Sequence, residues 1–518
     1  MEENSQHVKN MIFMKSRDIL LTGILFSLVP SSSHCSPAAR QAASGTHERA
    51  GGKDKRPNIL FIVSEDNGPE LGCYGAPVKT PNLDALAREG ARFQQAYVPQ
   101  AGCSPSRASF FTGLYPHQHG QVGLATWDYS MYNPETPNFV NDLKNSGYTT
   151  GIIGKIHVNP EEAFHFDWWE IKKGNFQRKN LDQYAQAAGQ FFRETESPFY
   201  LQVNYPEAHA PFLSQIDGRP AEPLKTGDVE ALPHFGVSSE KIRQQTADYY
   251  NCIMRLDELV GDLLSELKAS GKYENTMIVY IGDHGVDMLR GKRTVYEGGV
   301  RIPLIIKASG SFPSGIVSDE LVSTIDLYPT FMEVSGNPVP SYLPGKSLLP
   351  ILEGQKKHMR DYLFTEFHVH SNHNPLPQRT VRDSRYKLIL NLVTGYENPG
   401  YHFTIGKKIE PEDFNAALAK APENVRKAYE RMRYPVEYEL YDLKNDPYEW
   451  NNLAYDREYR QEFFRLKKVL EEWQKSTSDP LIDRDLAEKF FLEIVNANAE
   501  KIEIKYHEYM NPGLIFKR

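Results

Sequence analysis

The chain has 518 residues, of which 40% are hydrophobic and 24% are charged, and its formal net charge is −8. This length and composition exclude a disordered polypeptide and leave room for one large α/β domain and a smaller one. The negative balance gives no general attraction to nucleic acid or anionic lipid, so neither is expected as a partner and an anionic substrate would need local positive charge.

The amino-terminal region has the pattern of an export signal. Basic residues precede an apolar run over residues 19–29, and small residues follow it. The run is too short to span a bilayer as a mature helix. The sequence therefore predicts a signal peptide and leader over residues 1–36. We expect export to the periplasm or outside the cell, or to a lysosome-like compartment in a eukaryote, without stable membrane insertion of the mature chain.

Short apolar runs that predict buried strands recur through the first two thirds of the chain. The first covers residues 59–63, and the others lie in YTTGIIGKIHV, FYLQVNY, TMIVYIGDHG and VRIPLIIKA. They alternate with helical patterns such as TPNLDALAREGARF and ADYYNCIMRLDELVGDLLSELKASG. This alternation is typical of a mostly parallel sheet with helices on both faces, and hence of an α/β fold.

The pattern changes after Met359. The segments DYLFTEF, RYKLILNL and VEYELYDL are short and strand-like, and EYRQEFFRLKKVLEEWQKS has apolar residues at helical spacing. These features predict a small antiparallel sheet packed with a terminal helix. We therefore expect a large domain over residues 55–358 and a smaller C-terminal domain over residues 359–518.

Ionisable residues follow four of the predicted strands directly. In chain order they are Glu65 and Asp66, then Lys155 and His157, then His209, then Asp283 and His284, with Lys292 shortly after. Each of them alone is compatible with an ordinary turn or surface position. Because the carboxyl ends of parallel strands lie at one edge of a sheet, where α/β proteins bind ligands, the four groups together predict a functional site.

Cys103 stands in AGCSPSRASFFTG without the neighbouring ligands of a zinc site or the second cysteine of a redox pair. The run CSPSRASFFTG resembles the signature of the type I sulfatases, in which the first cysteine is oxidised to Cα-formylglycine. The blocks EDNGPELGCYGAPVKTPNLDALAREGARFQQAYVP, GKIHV, PEAHAPF, GDHG, GKRTVYEGGVRIP and ELYDLKNDPYEWNNLA also resemble that family, in the expected order. The resemblance covers nearly the whole mature chain.

The resemblance implies an alkaline-phosphatase-like α/β fold whose catalytic domain is the one over residues 55–358. It also implies a maturation enzyme that reads the motif around Cys103 and makes the formylglycine. The hydrated aldehyde would attack sulfur and then expel sulfate. Arg107 would brace the diol, and Lys155 and Lys292 would hold the sulfate oxygens. His157 matches a base that acts in sulfate release, and His209 matches a possible general acid near the leaving group.

The family also implies one divalent metal ion. By resemblance its ligands are Glu65, Asp66, Asp283 and His284, together with the modified Cys103. Hard oxygen donors favour calcium. The family usually has Asp in place of Glu65 and often Asn in place of His284, and an imidazole nitrogen also suits transition metals.

Several sequence patterns that are less specific than the motif around Cys103 indicate the class of substrate. The continuations LYPHQHGQVGL, TGIIGKIHVNPE and LEEWQKSTSDP resemble the heparan N-sulfatase (sulfamidase) subgroup. This implies removal of the N-sulfo group from a terminal N-sulfoglucosamine in heparin or heparan sulfate fragments. A glucosamine 6-O-sulfatase, a phosphonate monoester or phosphodiester hydrolase, and a glycan-binding protein with unoxidised Cys103 stay open. The segment EFHVHSNHNPLPQRTVR could reach the mouth of the site or form a polar surface loop.

Overall fold

The computed structural model describes residues 56–196, 198–310, 312–355, 358–500, 503–511 and 513. The signal peptide predicted over residues 1–36 lies outside this described part. The described residues belong to one compact unit, and none of their helices is long and apolar enough to cross a membrane. Cys73, Cys103 and Cys252 are free thiols.

An eight-stranded sheet forms the centre of this unit. Its strands in chain order are β1 (Asn58–Ser64), β2 (Ala91–Tyr97), β3 (Thr149–Ile153), β4 (Trp168–Glu170), β5 (Phe199–Tyr205), β6 (Thr276–Gly282), β7 (Arg301–Lys307) and β8 (Ile316–Ser323). The order across the sheet is β4-β3-β5-β1-β6-β7-β2-β8. Neighbouring strands are parallel except where β7 pairs with β6 and β2. The predicted mostly parallel sheet is confirmed.

Strand β1 shows why the apolar runs are continuous rather than alternating. All seven of its residues are buried. Phe61 and Val63 pack into one hydrophobic cluster, whereas Leu60 and Ile62 pack into another. Successive side chains of a strand point to opposite faces, so both faces of the sheet are covered. The burial of both faces explains the consecutive apolar residues from Ile59 to Val63.

Helices supply that cover, and others pack against a second sheet in the C-terminal part of the chain. In chain order they are α1 (Pro81–Glu89), α2 (Cys103–Thr112), α3 (Pro116–His119), α4 (Phe139–Asn145), α5 (Gln183–Glu194), α6 (Glu240–Ala269), α7 (Glu297–Val300), α8 (Leu327–Val334), α9 (Leu349–Leu352), α10 (Pro399–Lys407), α11 (Pro411–Ala419), α12 (Glu423–Arg433), α13 (Arg460–Ser476), α14 (Arg484–Glu500) and α15 (His507–Met510). The Ser239 hydroxyl caps α6 by accepting a hydrogen bond from the backbone N–H of Ile242. Helix α6 packs in the same cluster as Leu60, whereas Phe110 and Phe111 of α2 pack with Phe61. The two helices therefore lie on opposite faces of the sheet.

A second sheet lies in the C-terminal part of the chain. Its strands are β9 (Leu363–Phe367), β10 (Gln378–Arg382), β11 (Tyr386–Asn391) and β12 (Tyr438–Asp442). Their order is β12-β11-β10-β9, and every pair is antiparallel. Leu466 and Leu470 of α13 pack in the cluster that holds Leu388 and Leu440 of this sheet. The predicted small antiparallel sheet with a packed helix is confirmed, and the boundary between residues 358 and 359 stays a prediction.

Candidate active site

Four neighbouring parallel strands bring the predicted site residues to one edge of the large sheet. Strands β3, β5, β1 and β6 lie side by side, so their carboxyl ends meet. They are followed respectively by Lys155 and His157, by His209, by Glu65 and Asp66, and by Asp283 and His284. Lys292 lies in the loop between β6 and α7. This convergence is what the sequence predicted from the strand ends.

Cys103 is the first residue of α2, and Gly102 is its N-cap. Its Sγ lies 3.3 Å from Nε2 of His284 and 3.3 Å from Nζ of Lys292. All ten residues of α2 are buried, and the partial positive charge of the helix N-terminus faces the position of the thiol. In the formylglycine that the resemblance implies, an oxygen would take the place of this thiol near the position of Sγ.

Arg107, one turn along α2, braces the carboxylates behind the thiol. Its Nε donates to Oδ2 of Asp283 over 3.1 Å, and its Nη1 donates to Oδ1 of Asn204 over 2.8 Å. Its Nη2 lies 3.1 Å from Asp283 and 3.8 Å from Oε1 of Glu65. The guanidinium is completely buried. Asn204 was not predicted as a site residue; the only signal for it is a polar residue inside the apolar run FYLQVNY.

Two lysines complete the charge balance. Nζ of Lys292 lies 2.9 Å and 3.2 Å from the two carboxylate oxygens of Asp66, and Nζ of Lys155 lies 2.8 Å from Oε2 of Glu65. Burial raises the pKa of Asp66, but Lys292, His209 and His284 together outweigh it and hold that pKa below its ordinary value. Burial also raises the pKa of Asp283, which His284 and Arg107 keep well below the ordinary range. Both aspartates are therefore ionised at neutral pH.

Three of the predicted metal ligands form a group that could hold an ion. The ligand atoms of Asp66, Cys103 and His284 lie within 4.8 Å of one another. Burial lowers the pKa of His284, but Asp283 and Cys103 outweigh it and raise that pKa to about 9, so the imidazole is a cation at neutral pH. A divalent ion would replace its proton, since only a neutral imidazole binds metal. The residues therefore fit a divalent ion. Oδ1 of Asp283 borders this group at 3.5 Å from Nε2 of His284, whereas the carboxylate of Glu65 is paired with Lys155.

His157 and His209 differ from His284 in their charge. Burial, with Lys155 and Arg107, lowers the pKa of His157 well below its ordinary value, and Nδ1 of His157 has no hydrogen-bond partner among the described residues. Burial also lowers the pKa of His209, whose Nδ1 lies 2.6 Å from the carbonyl oxygen of Ala210. Because Nδ1 of His209 donates to that carbonyl oxygen, Nε2 is the nitrogen that can take up and release a proton. Both imidazoles are neutral at neutral pH.

The histidine-bearing segment EFHVHSNHNPLPQRTVR reaches the site. Nε2 of Gln100 donates to the carbonyl oxygen of Val369 over 3.0 Å, three residues before Cys103 along the chain. A Cβ atom at Gly102 would lie 3.4 Å from Cδ2 of His370. The sequence left open whether this segment reaches the mouth of the site or forms a polar surface loop, and the structure supports the first interpretation. The last five residues of the segment form strand β10.

Comparisons with known proteins point to one family. A family model described as Sulfatase matches residues 57–337. The chain belongs to the sulfatase family. A second family model, described as N-sulphoglucosamine sulphohydrolase, C-terminal, matches residues 282–421. The similarity to the sulfatases that the motifs indicated is therefore confirmed.

Individual relatives of this sulfatase-family chain differ in what they act on. An ulvan-active sulfatase of Formosa agariphila is 30% identical, over 90% of this chain and 90% of its own. The N-sulphoglucosamine sulphohydrolase of Homo sapiens is also 30% identical, over 82% of this chain and 91% of its own. Among solved structures, the phosphonate monoester hydrolase of Agrobacterium radiobacter has a TM-score of 0.61 at 21% identity, covering 82% of this chain and 96% of its own. This last likeness shows a common fold.

Proposed function

We propose that this sulfatase hydrolyses the N-sulfo group of a terminal N-sulfoglucosamine in heparin or heparan sulfate fragments, through a formylglycine made from Cys103. One observation carries the proposal of catalysis at this residue: Sγ of Cys103, at a helix N-terminus, lies 3.3 Å from both Nζ of buried Lys292 and Nε2 of buried His284. The choice of N-sulfoglucosamine rests on the similarity to the human N-sulphoglucosamine sulphohydrolase and on the C-terminal family match. Calcium, export and maturation by a separate enzyme belong to the same proposal.

The cationic groups would hold the sulfo group. Lys155 and Lys292 have their ammonium groups fixed by Glu65 and Asp66, so both would present N–H donors to sulfate oxygens without a large loss of side-chain entropy. A divalent ion at Asp66 and His284 would polarise the sulfur centre as a Lewis acid. Arg107 would keep Asp283 ionised beside it. The site thus has enough local positive charge for an anion in a chain of net charge −8.

The neutral histidines would move the protons. Formylglycine, once hydrated, would supply one oxygen as the nucleophile for sulfur and a second hydroxyl that, on losing its proton, re-forms the aldehyde and breaks the bond from carbon to the sulfated oxygen. His157 would accept the proton of that second hydroxyl, since its imidazole is neutral and its Nδ1 has no other partner among the described residues. His209, whose Nδ1–H is held by the carbonyl oxygen of Ala210, would first take up a proton at Nε2 from solvent, and the resulting imidazolium would pass that proton to the nitrogen as the N–S bond breaks. In balance, one water and one N-sulfo group give a free amine and hydrogen sulfate.

Hydrolysis of three substrates by matured wild-type protein tests the proposal. We would compare release of sulfate from N-sulfoglucosamine and from N-acetylglucosamine 6-O-sulfate at matched concentrations, together with hydrolysis of a phosphonate monoester. The Cys103→Ala variant, produced with the same maturation enzyme, is the control and should be inactive on all three. We expect a clear preference for N-sulfoglucosamine.

Preference for the 6-O-sulfated sugar would replace the proposed substrate and keep the sulfatase chemistry. Preference for the phosphonate would instead favour the activity named for the Agrobacterium radiobacter neighbour. Activity retained in Cys103→Ala would contradict the proposed nucleophile.

A further inference from the structure

The loop between β9 and β10, residues 368–376, is held firmly against the active site. Its carbonyl oxygens at Val369 and His370 accept hydrogen bonds from Nε2 of Gln100 and from the backbone N–H of Leu124, over 3.0 Å and 2.8 Å. The N–H of Leu376 closes the loop by donating to the carbonyl oxygen of His368 over 2.9 Å. The backbone of this loop is therefore fixed to the segments on either side of α2.

The side chain of His370 is buried beside the nucleophile without a polar partner. Only 8% of the residue is exposed, and its ring packs over Gly102, the residue before Cys103. Neither ring nitrogen of His370 has a hydrogen-bond partner among the described residues. Buried polar atoms in folded proteins are almost always hydrogen-bonded, so unpaired ones next to a catalytic residue indicate atoms that bond to a ligand.

Other polar groups of the same loop are bonded in part: Oγ of Ser371 and Nδ2 of Asn374 also have no partner among the described residues, whereas His368 and Oδ1 of Asn374 do. The imidazole of His368 is fully bonded, to Oε1 of Gln100 over 3.1 Å and to Nη2 of Arg379 over 3.0 Å. Oδ1 of Asn374 accepts from the backbone N–H groups of His370 and Ser371. The loop thus uses its neighbouring side chains to fix the position of His370 while the ring of His370 stays available, which is how a recognition residue is pre-organised.

The charges near His370 indicate which part of a substrate it would contact. Burial, followed by the positive charges of Lys292 and Arg293, lowers the pKa of His370 well below its ordinary value. A neutral imidazole has one N–H donor and one nitrogen acceptor, which matches a hydroxyl or amine better than it matches an anion. The sulfo group itself has Lys155 and Lys292 as partners. The sugar ring that carries it offers the hydroxyl and amine groups.

We propose that His370 is a specificity-determining residue that hydrogen-bonds a hydroxyl or amine of the sugar bearing the sulfo group. This rests on the proposed function only in requiring a sulfated sugar as substrate. His370 would then recognise the sugar, whereas Lys155 and Lys292 would bind the sulfo group.

The test compares kcat/KM for N-sulfoglucosamine, which depends on the sugar, with the inhibition constant of inorganic sulfate, which does not. In His370→Ala we expect kcat/KM for N-sulfoglucosamine to fall roughly 10- to 100-fold, the range for a buried hydrogen-bonding group that loses its partner. Inorganic sulfate has no sugar, so its inhibition constant should change by less than about threefold, because the sulfo pocket is intact. His370→Gln keeps a donor and an acceptor, and should recover part of the lost kcat/KM.

A matched control is His234→Ala. His234 is also buried, burial lowers its pKa to about 3, and its Nε2 also has no partner within the described residues, but it packs against Phe235 and Gly298. Its replacement should cost stability without changing the ratio of the two readouts. A loss in His370→Ala that is equal for the sugar and for sulfate, or that His234→Ala reproduces, would overturn the proposal.

The outcome is separable from that of the proposed function. If wild-type protein prefers N-acetylglucosamine 6-O-sulfate, N-sulfoglucosamine is the wrong substrate, and the same variants are compared on the 6-O-sulfated sugar. A selective loss there supports the role of His370, and its absence there refutes that role.

Discussion

Replacement of Arg107 by alanine tests the buried charge network under the nucleophile. Arg107 belongs to the motif that we expect the maturation enzyme to read, so activity alone would mix two effects. The stability of Arg107→Ala is therefore compared with that of its parent in a Cys103→Ala background. A chelator is present throughout, so that no divalent ion compensates for the missing cation.

The structure sets the size of the effect. Arg107 is completely buried, contacts Asp283 through two nitrogens and donates to Asn204 through a third. Removing one partner of a buried ion pair leaves an uncompensated charge, which costs about 3–5 kcal/mol. Arg107→Lys keeps the charge but loses the bidentate geometry and the bond to Asn204, and should cost about 1–3 kcal/mol.

Urea unfolding at neutral pH, followed by tryptophan fluorescence, measures the free energy of unfolding of each variant. Arg385→Ala is the control, because Arg385 also binds a carboxylate through two nitrogens, that of Asp442, but is 46% exposed. Solvent screens such pairs, so its loss should be clearly smaller. If Arg107→Ala is no less stable than Arg385→Ala, the buried network does not have the role assigned to it.

Two further predictions concern the metal ion and acid stability. We expect elemental analysis to find one divalent ion, calcium, per chain, and chelation or Asp66→Asn to abolish turnover; undiminished turnover in metal-free protein would contradict the proposed site. Burial raises the pKa of Glu366, but His117 and Arg379 outweigh it and lower that pKa from 4.5 to about 2. A carboxyl with a lowered pKa in the folded state stabilises the fold above pH 4.5. The free energy of unfolding should therefore fall by about 3 kcal/mol as the pH falls from 4.5 to below 2, and by less in Glu366→Gln. Equal acid sensitivity of the two proteins in urea unfolding would show that Glu366 has no such role.

The parts of the fold that were predicted correctly are those whose residues carry a strong local pattern. Strands β1, β5 and β6 are buried along their whole length and are mostly apolar, so the sequence shows them directly. The site residues Asp66 and Asp283 follow β1 and β6 at once. Their convergence then needs only the rule that parallel strands end at the same edge of a sheet.

The strands that were not predicted have polar residues for reasons that lie elsewhere in the chain. Strand β8 is at the edge of its sheet, and half of Val317 is exposed, so its sequence need not be apolar. Strand β10 is entirely buried although it contains Arg379 and Arg382. Arg379 is neutralised by Asp479, 100 residues away in sequence, and no local pattern reports such a partner.

The same limit applies within the site. The sequence identified Arg107 from its motif but not Asn204, which lies 97 residues away and bonds to it. The sequence did not decide whether the segment that contains His370 is a surface loop or part of the site. The position of His370 beside Gly102 depends on packing between segments more than 260 residues apart. Resemblance to a family supplied the chemical roles, and the three-dimensional contacts supplied the residues that position them.

The state of residue 103 in active protein tests the central claim most directly. Peptide mass spectrometry of preparations matured to different extents measures the fraction of Cys103 converted to formylglycine, and sulfate release measures the activity of the same preparations. We predict that activity rises in proportion to the converted fraction and is zero where only thiol is found. Full sulfate release from protein in which position 103 is entirely unmodified cysteine would contradict the account.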